Sequence, residues 1–295
     1  MPTPTPLLVG LGEILWDLLP TGARLGGAPA NFAYHAGALG GRAAVVSAVG
    51  ADAGGRRILE QLASLGLDAT GVAVDAQHPT GTVEVRLDAA GVPTYIIHEG
   101  VAWDFLPATD AVLRLAQHAD VTCFGSLAQR APVSRASIRA FVAATPRASL
   151  RIFDINLRQH FYDEPNIRES LAWSNVLKLN DQELPVITDM LGLPRDEASA
   201  MKTLLTKFPL RLIALTRGPG GSTLYTHEGQ STHPGYPTKL VDTVGAGDSF
   251  TAALALGLLR GHDLDRLNAD ANRVASYVCS QPGATPPLPA GLLSE

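Results

Sequence analysis

The sequence predicts an α/β fold built on a mostly parallel sheet covered by helices on both faces. Three observations carry that reading. Short, almost continuously apolar segments recur as buried strands. Stretches of helical spacing lie between many of them. One segment alternates polar and apolar residues instead, as a half-wet antiparallel sheet does.

In chain order, Leu7–Gly10 reads as a short buried strand. A helix follows from Pro29 to Leu39, with Pro29 in its first turn and Gly40 ending it. Ala43–Val49 is a second buried strand closed by Gly50. Ile58, Leu59, Leu62 and Leu65 mark a helix over 56–65 that stops at Gly66. Thr82–Leu87 and Thr94–His98 flank Asp88-Ala89-Ala90-Gly91, a hairpin signal. Beyond Pro107, Val121–Phe124, Leu150–Ile155, Val176–Leu179, Leu212–Leu215 and Ser222–Tyr225 read as strands. Ser134–Ala144 and Ala198–Lys207 read as helices among them. Ligands of such sheets gather at the C-terminal ends of the strands. The proline-rich stretch Pro282–Pro289 reads as a surface closing segment.

The bulk properties exclude several function classes. At 295 residues the chain buries a large core, and 46% apolar with 17% charged residues is globular composition. The net charge of −5, without a Lys/Arg block, argues against nucleic acid as the main partner. The two cysteines, Cys123 and Cys279, lie in apolar stretches and read as buried thiols of a cytoplasmic protein. Residues 1–6 lack the basic and apolar regions of a signal peptide, and no apolar run is long enough to span a bilayer.

The most informative segment is Asp242-Thr243-Val244-Gly245-Ala246-Gly247-Asp248-Ser249-Phe250. A glycine turn enters an apolar helix (Phe250, Ala253, Leu254, Gly257, Leu258), with Arg260 in its last turn and Gly261 as its stop. Free N–H groups at a helix start hold anions. Asp248 then lies beside the bound phosphate, placed to accept a proton from an attacking hydroxyl, which is what phosphoryl transfer to an alcohol needs. The bland alternative is a glycine turn with Asp248 as a helix cap.

Other motifs follow predicted strands or glycine turns. Gly26-Gly27-Ala28-Pro29-Ala30-Asn31 lets a ligand approach the backbone and puts the Asn31 amide in a first helical turn, near a hydroxyl. Thr216-Arg217-Gly218-Pro219-Gly220-Gly221 suits a nucleotide phosphate or ribose, or is simply the loop of a hairpin. Asn180-Asp181-Gln182-Glu183 suits a hydrated Mg²⁺, and equally a capping box with Asn180 as cap. Arg158 in Asp154-Ile155-Asn156-Leu157-Arg158 faces phosphate or substrate, or forms a surface ion pair. Asp17, near a glycine turn, suits sugar hydroxyls.

Together these motifs, in order over nearly the whole chain, resemble the ribokinase-like (PfkB) carbohydrate kinases, and Gly-Gly-Ala-Pro-Ala-Asn resembles the fructokinases among them. The resemblance implies a single ribokinase-like domain over 1–295, Rossmann-like, with a small β lid formed by about 11–25 and 80–106. It implies ATP as donor, Mg²⁺ as cofactor and a free hexose, fructose first, as acceptor. Asp248 then corresponds to the catalytic base, and the N–H groups of Gly245, Ala246 and Gly247 to an anion hole for charge developing on the γ-phosphoryl oxygens. Asn180 and Glu183 correspond to the Mg²⁺/phosphate motif, with Mg²⁺ held through water. Thr216, Gly218, Gly221 and Asn272 correspond to nucleotide-binding positions, and Asp17, Gly27 and Asn31 to sugar-binding ones. Asp242, Val244 and Gly283 correspond to a K⁺ site of backbone carbonyls. A homodimer through the lid is implied as well.

The lid departs from the fructokinase pattern, which reads roughly Arg-x-Pro-x-Ala-Asp. Here it is His98-Glu99-Gly100-Val101-Ala102-Trp103-Asp104: Ala and Asp remain, Arg and Pro do not. Trp103 is expected to pack the lid rather than touch the sugar. Ribose, 2-keto-3-deoxygluconate (with Arg158 on its carboxylate) and a nucleoside are the alternative acceptors, and a catalytically silent sugar sensor is another reading. A dinucleotide fingerprint at Val9-Gly10-Leu11-Gly12 fails because Leu15 occupies its third glycine position, and no P-loop occurs.

Overall fold

The computed structural model describes residues 4–20, 22–87 and 93–293. The loop expected at Asp88–Gly91 lies outside the described residues, as do residues 1–3 at the start of the chain. A large sheet and a small one emerge. The large sheet takes β1 (Leu7–Leu11), β4 (Arg42–Gly50), β5 (Asp68–Asp75), β8 (Val121–Phe124), β9 (Leu150–Asp154), β10 (Val176–Asn180), β11 (Leu212–Thr216), β12 (Ser222–Tyr225) and β13 (Gln230–His233). Their order is β13-β12-β11-β10-β9-β8-β1-β4-β5. Pairing is parallel from β11 to β5 and antiparallel along β11-β12-β13. The small sheet takes β2 (Leu15–Leu19), β3 (Gly22–Gly26), β6 (Gly81–Leu87) and β7 (Pro93–Ile97) in the order β3-β2-β6-β7. Leu11, placed by sequence at the edge of the lid, ends β1 of the large sheet.

Alternate residues of a parallel strand feed opposite faces, so inner strands such as β1, β8 and β11 are mostly apolar. From β1, Leu7, Val9 and Leu11 enter one core while Leu8 enters the other. The first core lies under α4 (Pro132–Ala144), α5 (Glu164–Trp173), α6 (Glu183–Leu191) and α7 (Glu197–Lys207), and takes Phe141, Ile167, Ile187 and Leu204. The second lies under α1 (Ala28–Ala38), α8 (Ala246–Leu259) and α9 (Leu264–Cys279), and takes Phe32, Phe250, Leu254, Leu267 and Val274.

The sequence signals for helix ends hold. Pro29 stands in the first turn of α1, and Gly40 and Gly261 adopt the left-handed conformations (φ 98° and 72°) that only glycine takes cheaply. Arg260 caps α8 and donates to the Leu39 carbonyl, tying α8 to the end of α1. Val83 and Ile97 of the small sheet are buried, whereas Thr82 and Glu84 stay partly wet, as alternation predicts. β5 and β13 carry little apolar alternation and escaped the sequence reading; each is held by its neighbour in the large sheet. Cys123 is buried as expected, but Cys279, in the last turn of α9, is only partly so. No helix among the described residues is long and apolar enough to cross a membrane.

One close approach fixes the entry to the site. A Cβ on Gly10 would lie 1.9 Å from the Pro29 carbonyl oxygen, so β1 and the start of α1 meet backbone to backbone. Gly10→Ala is expected to cost about 3 kcal/mol through overpacking, read as a lowered urea midpoint at unchanged m-value.

Candidate active site

The charged motifs converge at the C-terminal edge of the parallel strands. Gly245 caps α8 with φ 78°, and a Cβ there would lie 2.4 Å from the Ala284 carbonyl oxygen. The turn therefore requires glycine for its conformation and for its packing. Ala284 belongs to the stretch read as a surface closure; instead it forms the underside of this turn, and its carbonyl also meets His35 Nε2 at 2.9 Å. His35 lies fully inside α1, and burial drives its pKa down to about 4, so it is neutral. In the first turn of α8 the Ala246 N–H reaches the Thr243 carbonyl at 3.4 Å, a long bond of the kind that an anion at a helix start competes with.

Asp248 follows in the first turn of α8, so it is not the cap. Its Oδ2 accepts 2.8 Å from Asn31 Nδ2, which joins the two glycine motifs across 217 residues of sequence. Asp248 is only partly buried as a residue. The enclosing protein nevertheless raises its pKa to about 6. Burial is the main cause and the Asp154 charge adds to it, while Asn31, Lys178 and Arg158 oppose it.

Beneath the turn lies a buried pair that sequence reading missed. Lys178 Nζ donates to Asp154 Oδ1 at 2.9 Å, with both side chains 7% exposed. Thr251 Oγ1 approaches Asp154 Oδ2 at 3.1 Å and the Gly247 carbonyl at 2.9 Å, binding the pair to α8. A Cβ on Gly247 would lie 3.0 Å from Lys178 Nζ, so the ammonium lies directly against the turn. Burial alone would lower the Lys178 pKa, but the charges of Asp154 and Glu183 hold it above its usual range. A lone lysine in an apolar strand was the available signal.

Asn180 and Glu183 form the capping box that sequence allowed. Asn180 Oδ1 accepts from the N–H groups of Gln182 and Glu183, both at 2.9 Å, and Glu183 Oε2 accepts from Asn180 N at 2.8 Å. Glu183 Oε1 accepts from Leu157 N at 2.9 Å, which anchors the turn carrying Arg158. Burial raises the Glu183 pKa, against the pull of Lys178. Each of these oxygens already holds a backbone N–H, so the pair fits an ion contacted through water better than one bound directly.

The residues expected to meet the acceptor come from β2, from the start of α1 and from the turns after β1 and β9. Gly26 leaves room for Asp17 of β2, since a Cβ there would lie 2.3 Å from Asp17 Oδ2. Burial raises the Asp17 pKa to about 6, against the Arg158 charge. Gly27 has φ 112°, and a Cβ there would lie 2.5 Å from the Glu13 carbonyl oxygen. Arg158 is exposed on a turn in which Asn156 and Gln159 are left-handed (φ 47° and 49°); it donates to Leu157 O, with no ion pair among the described residues. Glu13, which sequence reading passed over, is 3% exposed, and burial raises its pKa to about 7.

The divergent lid segment has a structural explanation. Trp103 is buried and packs the lid, as expected. Arg130, from the turn after β8, lies over the Trp103 ring at 4.0 Å and over Phe161 at 4.6 Å. It grips Asp104 with two bonds of 2.8 and 2.9 Å and donates to the His98 carbonyl. A guanidinium from the large sheet thus holds Asp104 of the segment that lacks its own arginine. His98 is exposed, 4.0 Å from Glu84.

On the opposite side, Gly218–Gly220 forms a short 3₁₀ turn between β11 and β12, so the Thr216–Gly221 loop is also the hairpin loop. Gly221 meets Gly235 backbone to backbone. Beyond Gly235 a surface cavity of about 370 Å³ opens between 236–239 and α9, lined by Tyr236, Lys239, Arg273 and Tyr277 among others. Asn272 is buried, its amide donating to Ser222 Oγ and the Asn268 carbonyl, so it braces α9 against β12. Asp242 joins the remaining expected positions by accepting from Val244 N at 3.1 Å and from Gly283 N at 3.0 Å.

A helix N-terminus with a carboxylate of raised proton affinity in its first turn is an arrangement suited to moving an anionic group onto a hydroxyl. Comparison with known proteins agrees. The pfkB family carbohydrate kinase profile matches residues 21–291. The chain is 34% identical to a fructokinase of Klebsiella pneumoniae over 260 residues, covering 84% of this chain and 83% of the relative. A crystal structure of a sugar kinase from Pyrococcus horikoshii in complex with ATP superimposes with TM-score 0.82 at 28% identity, covering 95% of this chain and 94% of that one. A fructokinase double mutant from Vibrio cholerae, solved with fructose, ADP and potassium ion, gives 0.81 at 26% identity, covering 98% and 97%. The chain belongs to the pfkB family of carbohydrate kinases, and it is an ATP-dependent sugar kinase with the ribokinase-like fold.

Removing one member of the buried pair strands the other's charge. Lys178→Met should cost about 3–5 kcal/mol in urea unfolding, and Lys178→Met with Asp154→Asn should recover much of it.

Proposed function

We propose that the acceptor is a neutral free hexose, fructose first, phosphorylated on a primary hydroxyl. The observation that carries the reading is Asp248, held by Asn31 at the start of α8 with its pKa at about 6. Around it the Arg158 charge acts on Asp17 and Glu13 without pairing with either, while Arg130 is engaged with Asp104. Three carboxylates around one exposed guanidinium favour a polyol over a sugar acid. The fructose-bound relative supports the same choice. Asp17, Gly27, Asn31 and Arg158 would then line the acceptor, and the lid would close over it to exclude water.

In this reading Asp248 takes the hydroxyl proton as the acceptor oxygen attacks the γ-phosphorus of ATP. The N–H groups of Gly245, Ala246 and Gly247 stabilise the charge developing on the transferring phosphoryl group. Thr216, Gly218, Gly221 and the face of α9 near Asn272 would hold the nucleotide, with the cavity beside Tyr236 available to its base. Asn180 and Glu183 would hold hydrated Mg²⁺, which when bound neutralises phosphate charge. The carbonyls of Asp242, Val244 and Gly283 would hold K⁺, since the Asp242 carboxylate already draws these segments together. Unpaired thiols suit the reducing cytoplasm. Pairing of lids, with the partly exposed Leu18 on β2, would give a homodimer, which light scattering tests.

The deciding experiment is ATP-to-ADP turnover across fructose, ribose, 2-keto-3-deoxygluconate and nucleosides. Fructose should give the highest kcat/KM; a preference for the sugar acid would overturn the neutral-acceptor reading. Asp248→Asn should fold normally and lose about 10²–10⁴-fold in kcat; a loss of only a few-fold would remove Asp248 as base. Only ionised Asp248 accepts a proton, so wild-type kcat/KM should rise with pH through about 6 and level off above it.

A further inference from the structure

An ion pair joins the small sheet to the loop that leads into α8. Arg24 Nη1, on the edge strand β3, lies 3.7 Å from Asp242 Oδ2. Register fixes which face of the small sheet Arg24 shares. It pairs directly with Asp17 of β2, and directly opposed residues of an antiparallel pair project to the same face. Gly26, two residues further along β3, belongs to that face too, and a Cβ there would meet Asp17 Oδ2 at 2.3 Å. The Asp17 and Arg24 side chains therefore leave the small sheet on one side.

The other end of the pair is tied to the phosphate turn. Asp242 Oδ1 accepts from Val244 N at 3.1 Å, and Oδ2 accepts from Gly283 N at 3.0 Å. Val244 immediately precedes Gly245, the cap of α8, and Gly283 precedes Ala284, which underlies that cap. The same two stretches of chain meet a second time, where Asn31 Nδ2 reaches Asp248 Oδ2 at 2.8 Å. Residues 24–31 and 242–248 are thus joined by a hydrogen bond within the site and by a charge pair at its rim. Packing does not duplicate the outer link. Gly22, Ala23 and Arg24 are exposed, and on the loop Leu240, Val241 and Val244 are 62%, 53% and 50% exposed. The pair itself is half in solvent, with the Arg24 side chain 51% exposed and that of Asp242 22%. Such a pair is weak and opens readily, which suits a contact that parts for a ligand and closes again over it.

We propose that Arg24 is a positioning residue of the reaction: by pairing with Asp242 it draws the edge of the small sheet, and with it Asp17, toward the turn that starts α8. This inference rests on the reading that Asp17 meets the acceptor, and adds what holds Asp17 within reach of the phosphate turn. Arg24 acts through Asp242 and Asp17 and touches no reacting atom.

The test compares full-length wild type, Arg24→Gln, Arg24→Lys, Asp242→Asn and the double variant carrying Arg24→Gln with Asp242→Asn. The readouts are kcat and KM for the best acceptor sugar, KM for ATP and a thermal melt, in choline chloride from about 0.01 M to about 1 M at fixed potassium. An exposed charge pair is worth about 2- to 5-fold. At low salt Arg24→Gln should raise the acceptor KM by that factor with kcat little changed, and leave the KM for ATP and the melt where they are. Arg24→Lys, which keeps the charge, should restore the wild-type value. High salt should cost wild type the same factor and cost Arg24→Gln nothing further. In the Asp242→Asn background, which keeps an oxygen for the Gly283 N–H, Arg24→Gln should have no effect. An acceptor KM unmoved by Arg24→Gln, or moved equally in both backgrounds, would overturn the proposal. Asp17→Asn is the control: an acceptor KM that it does not move would overturn the reading of Asp17, and the positioning role with it.

Discussion

The hydrogen bond from Asn31 to Asp248 is the contact on which the rest of the site depends. It links the N-terminal turns of α1 and α8, so the two glycine motifs meet at one carboxylate. Both helices reach that point only because glycine removes side chains where backbones touch. Gly27 lies against the Glu13 carbonyl and Gly245 against Ala284. The bond also limits how far burial raises the proton affinity of Asp248. A carboxylate used as a base must be dry enough to be basic and supported enough to ionise, and Asn31 supplies part of that support.

Electrostatic support extends below the turn. The Lys178–Asp154 pair brings a buried ammonium against Gly247 without leaving net charge in the sheet. Thr251 binds this pair to α8, and Glu183 binds the turn that carries Arg158. The site is therefore a run of short-range contacts from β9 and β10 into α8. Its floor is buried throughout, with Asp154, Lys178, Glu183 and Thr251 all shielded from solvent.

The lid is held differently. Its segment 98–104 is anchored by Asp104 and Trp103 to Arg130, a residue of the large sheet's edge. The residues expected to meet the acceptor thus come from two layers, with Asp17 on the small sheet, Glu13 and Arg158 on turns after β1 and β9 of the large one, and Asn31 on α1. Closure over a sugar would bring those layers together, which suits a reaction that must keep water from ATP.

Local chemistry made much of this legible in the sequence. The apolar strands, the helix stops at Gly40 and Gly261, the α8 turn and the capping box of Asn180 and Glu183 depend on residues close in the chain, so spacing reveals them. β5 and β13 were not legible, because neighbouring strands rather than their own pattern hold them. Lys178, Glu13 and Arg130 were not legible either. A charged residue among apolar ones does not announce its partner, and here the partners come from other strands. The sequence by itself determined the fold class, the glycine turn that starts α8 and the place of Asp248 in its first turn. Only the tertiary structure decided which charges are paired, which polar atoms are left over and how the lid is anchored, because burial and distance between remote segments set those outcomes.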